Sequence, residues 1–188
     1  MAQLYVNKQA AAMRQLNAAI RILFAGEDAL AVHTITAAVH EVLTSVDHKS
    51  SDKSGFVYLE TLDSLQEQHP KLFSGFSIKD LKKLVHSKNR SGANFLKHAD
   101  KDPDNLLDTE ALTTDHMLLE ACTLYSNLGF DPSIEMQAFA RWHLSVYPSA
   151  ESDRIKTQAG DVNDLDRSDQ LDFGDWLLTS MRETSEVS

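Results

Sequence analysis

Cysteine occurs once in 188 residues, at Cys122, so no intramolecular disulfide can form and a reducing compartment is the expected setting. Glycine and proline are scarce, seven and four residues, which leaves little material for glycine-built active-site loops. Neither a phosphate-cradling glycine loop nor a Gly-x-Ser-x-Gly elbow is present. Basic charge is in deficit, with 18 Lys/Arg against 28 Asp/Glu and a net charge of −10. A chain so charged does not grip nucleic acid or anionic lipid with its whole surface. Long apolar runs are also missing. Arg, His, Asp or Glu interrupt each one short of about 18–20 residues, so no segment reads as a membrane span. Lys8, Arg14 and Arg21 fall where a secretory signal needs an apolar stretch, and the expected location is cytoplasmic.

What is present is the composition of a folded globule, 42% hydrophobic and 24% charged, which excludes wholesale disorder. The charge is unevenly divided. Residues 1–99 carry 12 basic and 9 acidic side chains, whereas 100–188 carry 6 and 19, so the sign changes near residue 99.

Helical periodicity organises the first half. Met13, Leu16, Ile20, Leu23 and Phe24 share one face of a helix over roughly 8–25, closed by Gly26. Asp28 then caps a second helix with Val32, Ile35, Val39, Val42 and Val46 on one face, antiparallel to the first. That stripe serves either as internal core or as the seam of a homodimer. Residues 47–57 read as a loop and 58–69 as a helix. Ser77-Ile78-Lys79-Asp80 fits a capping box opening a helix to about 88, and Asn94 to Ala99 is a short helix. Met117, Leu118, Ala121, Leu124, Tyr125 and Leu128 form another helical face, stopped by Gly129. Asp131-Pro132 reads as cap and first position of a helix reaching Tyr147. No alternating β-type run exceeds a few residues.

The expected fold is therefore all-α. A bundle of five to seven helices fills residues 1–148, and an acidic, partly irregular C-terminal extension follows over 149–188. Residues 149–170 read as a polar linker. Leu171, Phe173, Trp176, Leu177, Leu178 and Met181 form an apolar patch on a short terminal helix that can dock back.

Eight histidines invite a metal reading. His33 and His40 lie seven residues apart on one helix, about 10.5 Å along its axis, too far for direct ligation of one ion. His116 and Glu120 are one turn apart and could share an ion, but no Glu-x-x-His or His-x-x-x-His pattern occurs. Histidines bonded to neighbouring hydroxyls or carbonyls account for the rest.

The densest polar string runs from Asn94 to Asp104 (Asn-Phe-Leu-Lys-His-Ala-Asp-Lys-Asp-Pro-Asp). Asn94, Lys97 and His98 share a helical face that leads into Asp100 and Asp102, a grouping suited to a small anionic ligand or a protein partner. The structural alternative is a knot in which Lys97 pairs with Asp100 or Asp102 and His98 caps carbonyls. Together with Ala-Val-His-Thr-Ile-Thr-Ala-Ala-Val-His-Glu-Val-Leu at 31–43, the string resembles a family of small bacterial helical proteins. Those carry a similar His-Thr-Leu helix and an Asn-Phe-x-Lys-His-Ala-Asp-x-Asp-Pro string. The resemblance covers about 14–125 and implies an all-helical fold and a bacterial cytoplasmic setting, but no activity.

A second candidate is calcium. Asp164, Asp166, Ser168, the Gln170 carbonyl, Asp172 and Asp175 match the ligand spacing of an EF-hand loop, with Leu171 at the apolar eighth position. Asp169 stands where glycine makes the sharp turn, and Asp175 replaces the long bidentate glutamate. Asp100, Asp102, Asp104 and Asp108 echo the spacing, but Ala111 occupies the twelfth position. Ca²⁺ is the one cofactor the sequence suggests.

A third candidate is phosphodiester chemistry. Lys79, Lys82, Lys83, Lys88, Arg90 and Lys97 cluster between Ser77 and Ala99 with one acid, Asp80. The stretch is faintly similar to the HEPN ribonucleases, whose Arg-x4–6-His motif lines a cleft; Arg90 and His98 are separated by seven residues, outside that spacing. Cys122 lies on the inner helical face and reads as core. The leading expectation is a non-catalytic binding or interaction module centred on Asn94–Asp104. A Ca²⁺-binding protein through Asp164–Asp175 and a HEPN-like enzyme using Arg90 and His98 remain as alternatives.

Overall fold

A computed structural model describes residues 6–47, 91–97, 106–109, 114–148 and 162–186, together with 77, 79, 80, 83, 87, 104 and 112. Among these residues there is no strand, and six α-helices have described bounds. They are α1 (Lys8–Phe24), α2 (Ala29–Asp47), α3 (Ser91–Lys97), α4 (Thr114–Asn127), α5 (Ile134–Val146) and α6 (Arg167–Glu186), with a 3-10 turn at Val162–Asp164. The all-α reading holds.

Local signals explain the boundaries. Asn7 caps α1, its side chain accepting from the Ala10 N–H at 2.8 Å. Gly26, at φ +65°, closes the helix: its N–H reaches the Leu23 carbonyl and the Glu27 N–H reaches Ile22, a pairing that satisfies the last orphan carbonyls. Asp28 accepts from the Leu30 and Ala31 N–H groups and starts α2. The tight joint lays α2 against α1. Ser77 and Asp80 do form a cap, with the Asp80 N–H donating to the Ser77 hydroxyl and that hydroxyl donating to the Asp80 carboxylate at 2.6 Å.

Two expectations need correction. The cap of α5 is Ser133, accepting from the Met136 N–H at 3.2 Å, so Pro132 stands just outside the helix instead of at its first position. The Ser133 hydroxyl also donates to Asn17 on α1 at 2.7 Å, and that tie fixes the register. The terminal helix is not short, either. Asp166 accepts from the Asp169 N–H, and α6 then runs 20 residues.

The core is continuous through α6. Leu16, Ile20 and Phe24 of α1, Val32, Val39 and Leu43 of α2, Leu118 and Tyr125 of α4, and Phe139 and Trp142 of α5 pack together. Val162 and Leu178 from the C-terminal segment belong to the same core, 5% and 2% exposed, so this segment is built in, not appended. Gly174 lets α6 approach Phe24, because a Cβ there would lie 2.5 Å from the ring. Glu135 joins three helices, accepting from Arg21 at 3.0 Å and Arg182 at 2.8 Å. Burial alone would raise its carboxyl, but the hydrogen bond and charge of Arg182, its own backbone N–H and the charge of Arg21 hold it below its ordinary value.

The span Ala29–Val46 is apolar and long enough to cross a membrane on length and composition, which the sequence reading had not credited to any segment. Within the fold, its Val32, His33, Thr36, Val39 and Leu43 face is buried, and it packs against α1 and α4. The Val32–Val46 stripe is thus internal core along its most buried positions.

Candidate functional site

Three helix ends meet at one place. α4 opens with Thr114, Asp115 and His116; α5 ends with His143, Val146 and the capping Tyr147; α6 begins at Arg167. They enclose a cleft of about 730 Å³. Leu23, Ala29, Leu112 and Val146 supply apolar wall, and Thr114, Asp115, His116, Tyr147 and Arg167 supply the polar end.

Asp115 organises that end. Its side chain is 8% exposed, and a carboxylate so placed is tolerated only if its lone pairs are filled. Three donors fill them. Arg167 grips it with both terminal nitrogens, Nη2 to Oδ1 at 2.9 Å and Nη1 to Oδ2 at 2.8 Å, while the Tyr147 hydroxyl donates to Oδ2 at 2.7 Å. The guanidinium also lies 5.1 Å from the centre of the Trp142 ring, a cation–π contact that holds its plane. Burial, the hydrogen bond to Asp115 and the charge of Asp115 push the Tyr147 hydroxyl up to about 12, so it stays a donor.

Beside this network, His116 Nδ1 and His143 Nε2 are 3.1 Å apart, one ring donating to the other. Both imidazoles pack on the Tyr147 ring, with centroids 4.8 and 4.7 Å away. Burial and the charge of His116 pull His143 down to about 4, against the opposing pull of Asp115, so its ring is neutral near pH 7. His143 Nδ1 and the Thr114 hydroxyl are buried with no hydrogen-bond partner among the described residues. Native proteins rarely leave such groups unsatisfied, and the exceptions concentrate where a ligand or water completes the set.

Of the residues singled out from the sequence, His116 and Gln170 line this cleft. Asn94 and Lys97 are exposed on α3, and Lys97 faces Glu41 of α2 at 3.7 Å. Both side chains of that pair are more than 60% exposed, so it is a solvated contact of little energy. His98, Asp100, Asp102 and Arg90 lie outside the described residues. His33 is buried against Gly92, and His40 bonds Glu120 across α2 and α4 at 3.1 Å, so His116 and Glu120 are drawn apart to different partners.

The six expected calcium ligands do not surround a common point. Asp166 is spent capping α6, and Ser168, Asp172 and Asp175 line one exposed face of that helix. The Gln170 carbonyl accepts from the Trp142 indole at 2.6 Å, and its amide donates to the Val162 and Leu165 carbonyls. Helix begins at the fourth position of the twelve-residue loop, where an EF-hand is still coiling around its ion. Among the described residues no group of three or more His, Cys, Asp or Glu could hold a metal.

The sequence reading missed the Asp115 cluster because its members come from three separate segments. One signal was legible: His143 and Tyr147 are one turn apart on the helix that also carries Trp142. No family model matches the chain, and neither a curated protein nor a solved structure matches it.

Proposed function

We propose that the protein is a non-catalytic binding module whose ligand is a small molecule held in the cleft at the start of α4. The observation that carries this reading is the buried, unpartnered Thr114 hydroxyl in the wall of a cleft whose polar end is already rigidly built. Ligand pockets of this kind are largely preformed, mostly apolar, and specified by a few fixed polar groups. Arg167 and Asp115 lock each other, Tyr147 is locked to Asp115, and the rings of His116, His143 and Tyr147 pack together in tilted and edge-on contacts. Such preorganisation lowers the entropy lost on binding. This reading centres binding on the cleft in place of Asn94–Asp104, a stretch of which Asn94, Lys97 and Asp104 are exposed and His98, Asp100 and Asp102 lie outside the described residues.

A fragment screen by protein-observed NMR tests the reading. Fragments should move the amide signals of Thr114, Asp115 and His116, and Ala29→Trp should abolish those shifts. Ala29 is exposed and lines the cleft, so the indole obstructs it without disturbing the core. A screen in which no fragment moves these signals refutes the proposal.

A further inference from the structure

We infer that the ligand of this cleft is a monocarboxylate with an apolar body, an inference that rests on the binding reading above. The argument is a count of donors and acceptors. Among the described residues that line the cleft, Asp115 is the one acid, and its two oxygens already take three hydrogen bonds. It therefore has little left to offer a ligand amine or hydroxyl. Donors, by contrast, remain. A guanidinium carries five N–H groups, and Arg167 spends two on Asp115 while its side chain stays 45% exposed.

Thr114 adds a second donor. The residue is 6% exposed, lines the cleft, and its hydroxyl meets no partner among the described residues. It stands at the first position of α4, a 14-residue helix, where backbone N–H groups lack intrahelical acceptors and the helix dipole favours negative charge. An acceptor-rich head placed there completes what the fold leaves open.

Charge limits the head to a single negative unit. The full charge of Arg167 is shared with Asp115, and the helix end contributes roughly half an elementary charge. A dianionic phosphate lacks compensation at this site. An ammonium head meets a saturated carboxylate and the wrong end of the helix. Leu23, Ala29, Leu112 and Val146 also line the cleft and offer apolar surface for a hydrocarbon or ring.

Titrations of the intact protein with octanoate, octanol, octylamine and octyl phosphate, each below its micellar concentration, separate the alternatives. NMR should show saturable shifts of the Thr114, Asp115 and His116 amides with octanoate, at least ten-fold tighter than with the other three. Thr114→Val should weaken octanoate about ten-fold, the loss expected for one hydrogen bond to a charged group, and Thr114→Ser should restore it. Equal binding of octanol or octylamine overturns the carboxylate inference and leaves the cleft reading standing. Fragments that bind the cleft while octanoate does not have the same consequence. Silence from every fragment and every probe overturns the cleft reading itself.

Discussion

Cys122 sits on the inner side of α4, 6% exposed, and burial pushes its thiol up to about 12. The thiolate is the reactive species, so the native protein should react negligibly with a thiol reagent at pH 8 and stoichiometrically once unfolded in guanidinium. Rapid native labelling would place this cysteine outside the core. His143 makes the opposite kind of prediction, about pH. Its folded-state value, about 4, lies below the ordinary 6.5. Between those two values the unfolded chain binds a proton that the folded chain refuses. Stability is therefore complete above pH 6.5 and falls as pH drops toward 4. At pH 5 the loss from this one group is about 2 kcal/mol. Urea titrations at pH 7 and 5 should show this decrement, and His143→Phe should remove it, the difference between the two proteins cancelling the other histidines. An equal decrement in the variant would mean that His143 takes up its proton while folded.

At the level of elements, the approach of α6 to α1 depends on one missing methyl group. Ala outranks Gly in a helix by about 1 kcal/mol, so Gly174→Ala would stabilise an isolated α6. In the fold, the added Cβ lies 2.5 Å from Cδ1 and Cε1 of Phe24, a buried ring packed on Phe139 and Trp142. Overpacking costs about 1–3 kcal/mol, so the expected net effect is a loss of up to about 2 kcal/mol, measured by denaturant unfolding. Phe24→Leu in the same chain should return part of it; additive losses would show that the two residues do not meet. This contact also marks what sequence can and cannot show. The inward faces of α1 and α4 were legible because Leu16, Ile20 and Phe24, or Met117, Leu118 and Tyr125, repeat at helical spacing. Gly26 and Asp28 announced the joint between α1 and α2. The start of α5 was misplaced because Asp131-Pro132 and Ser133 are both good starts, and only the Ser133 bond to Asn17, 116 residues away in sequence, decides between them.

For the whole molecule, the cleft was illegible for the same reason on a larger scale. Thr114, Tyr147 and Arg167 are ordinary residues in their own segments, and their meaning comes from the meeting of three helix ends. Polar composition after residue 148 made the C-terminal part look like an appendage. Its few apolar residues are nevertheless well placed: Val162 and Leu178 enter the common core, and the Gln170 carbonyl takes the Trp142 N–H. Arg167 meanwhile neutralises the buried Asp115. A chain ending at residue 148 would therefore lose more than apolar cover. It would leave Asp115 with Tyr147 as its remaining partner, the Trp142 N–H without an acceptor, and Phe24 and Trp142 facing water. Removing Arg167 takes away the charge partner of Asp115, and the lost apolar burial adds to that cost, together a large share of the stability of a typical domain. The truncated chain should show no cooperative thermal transition and should bind a hydrophobic dye, while the full chain unfolds in one step. Arg167→Met in the full chain separates the two contributions, since it keeps the apolar cover and removes only the charge. If the 1–148 chain unfolds cooperatively at the temperature of the full protein, α6 is an accessory, and the polar network it completes is not part of what holds the bundle together.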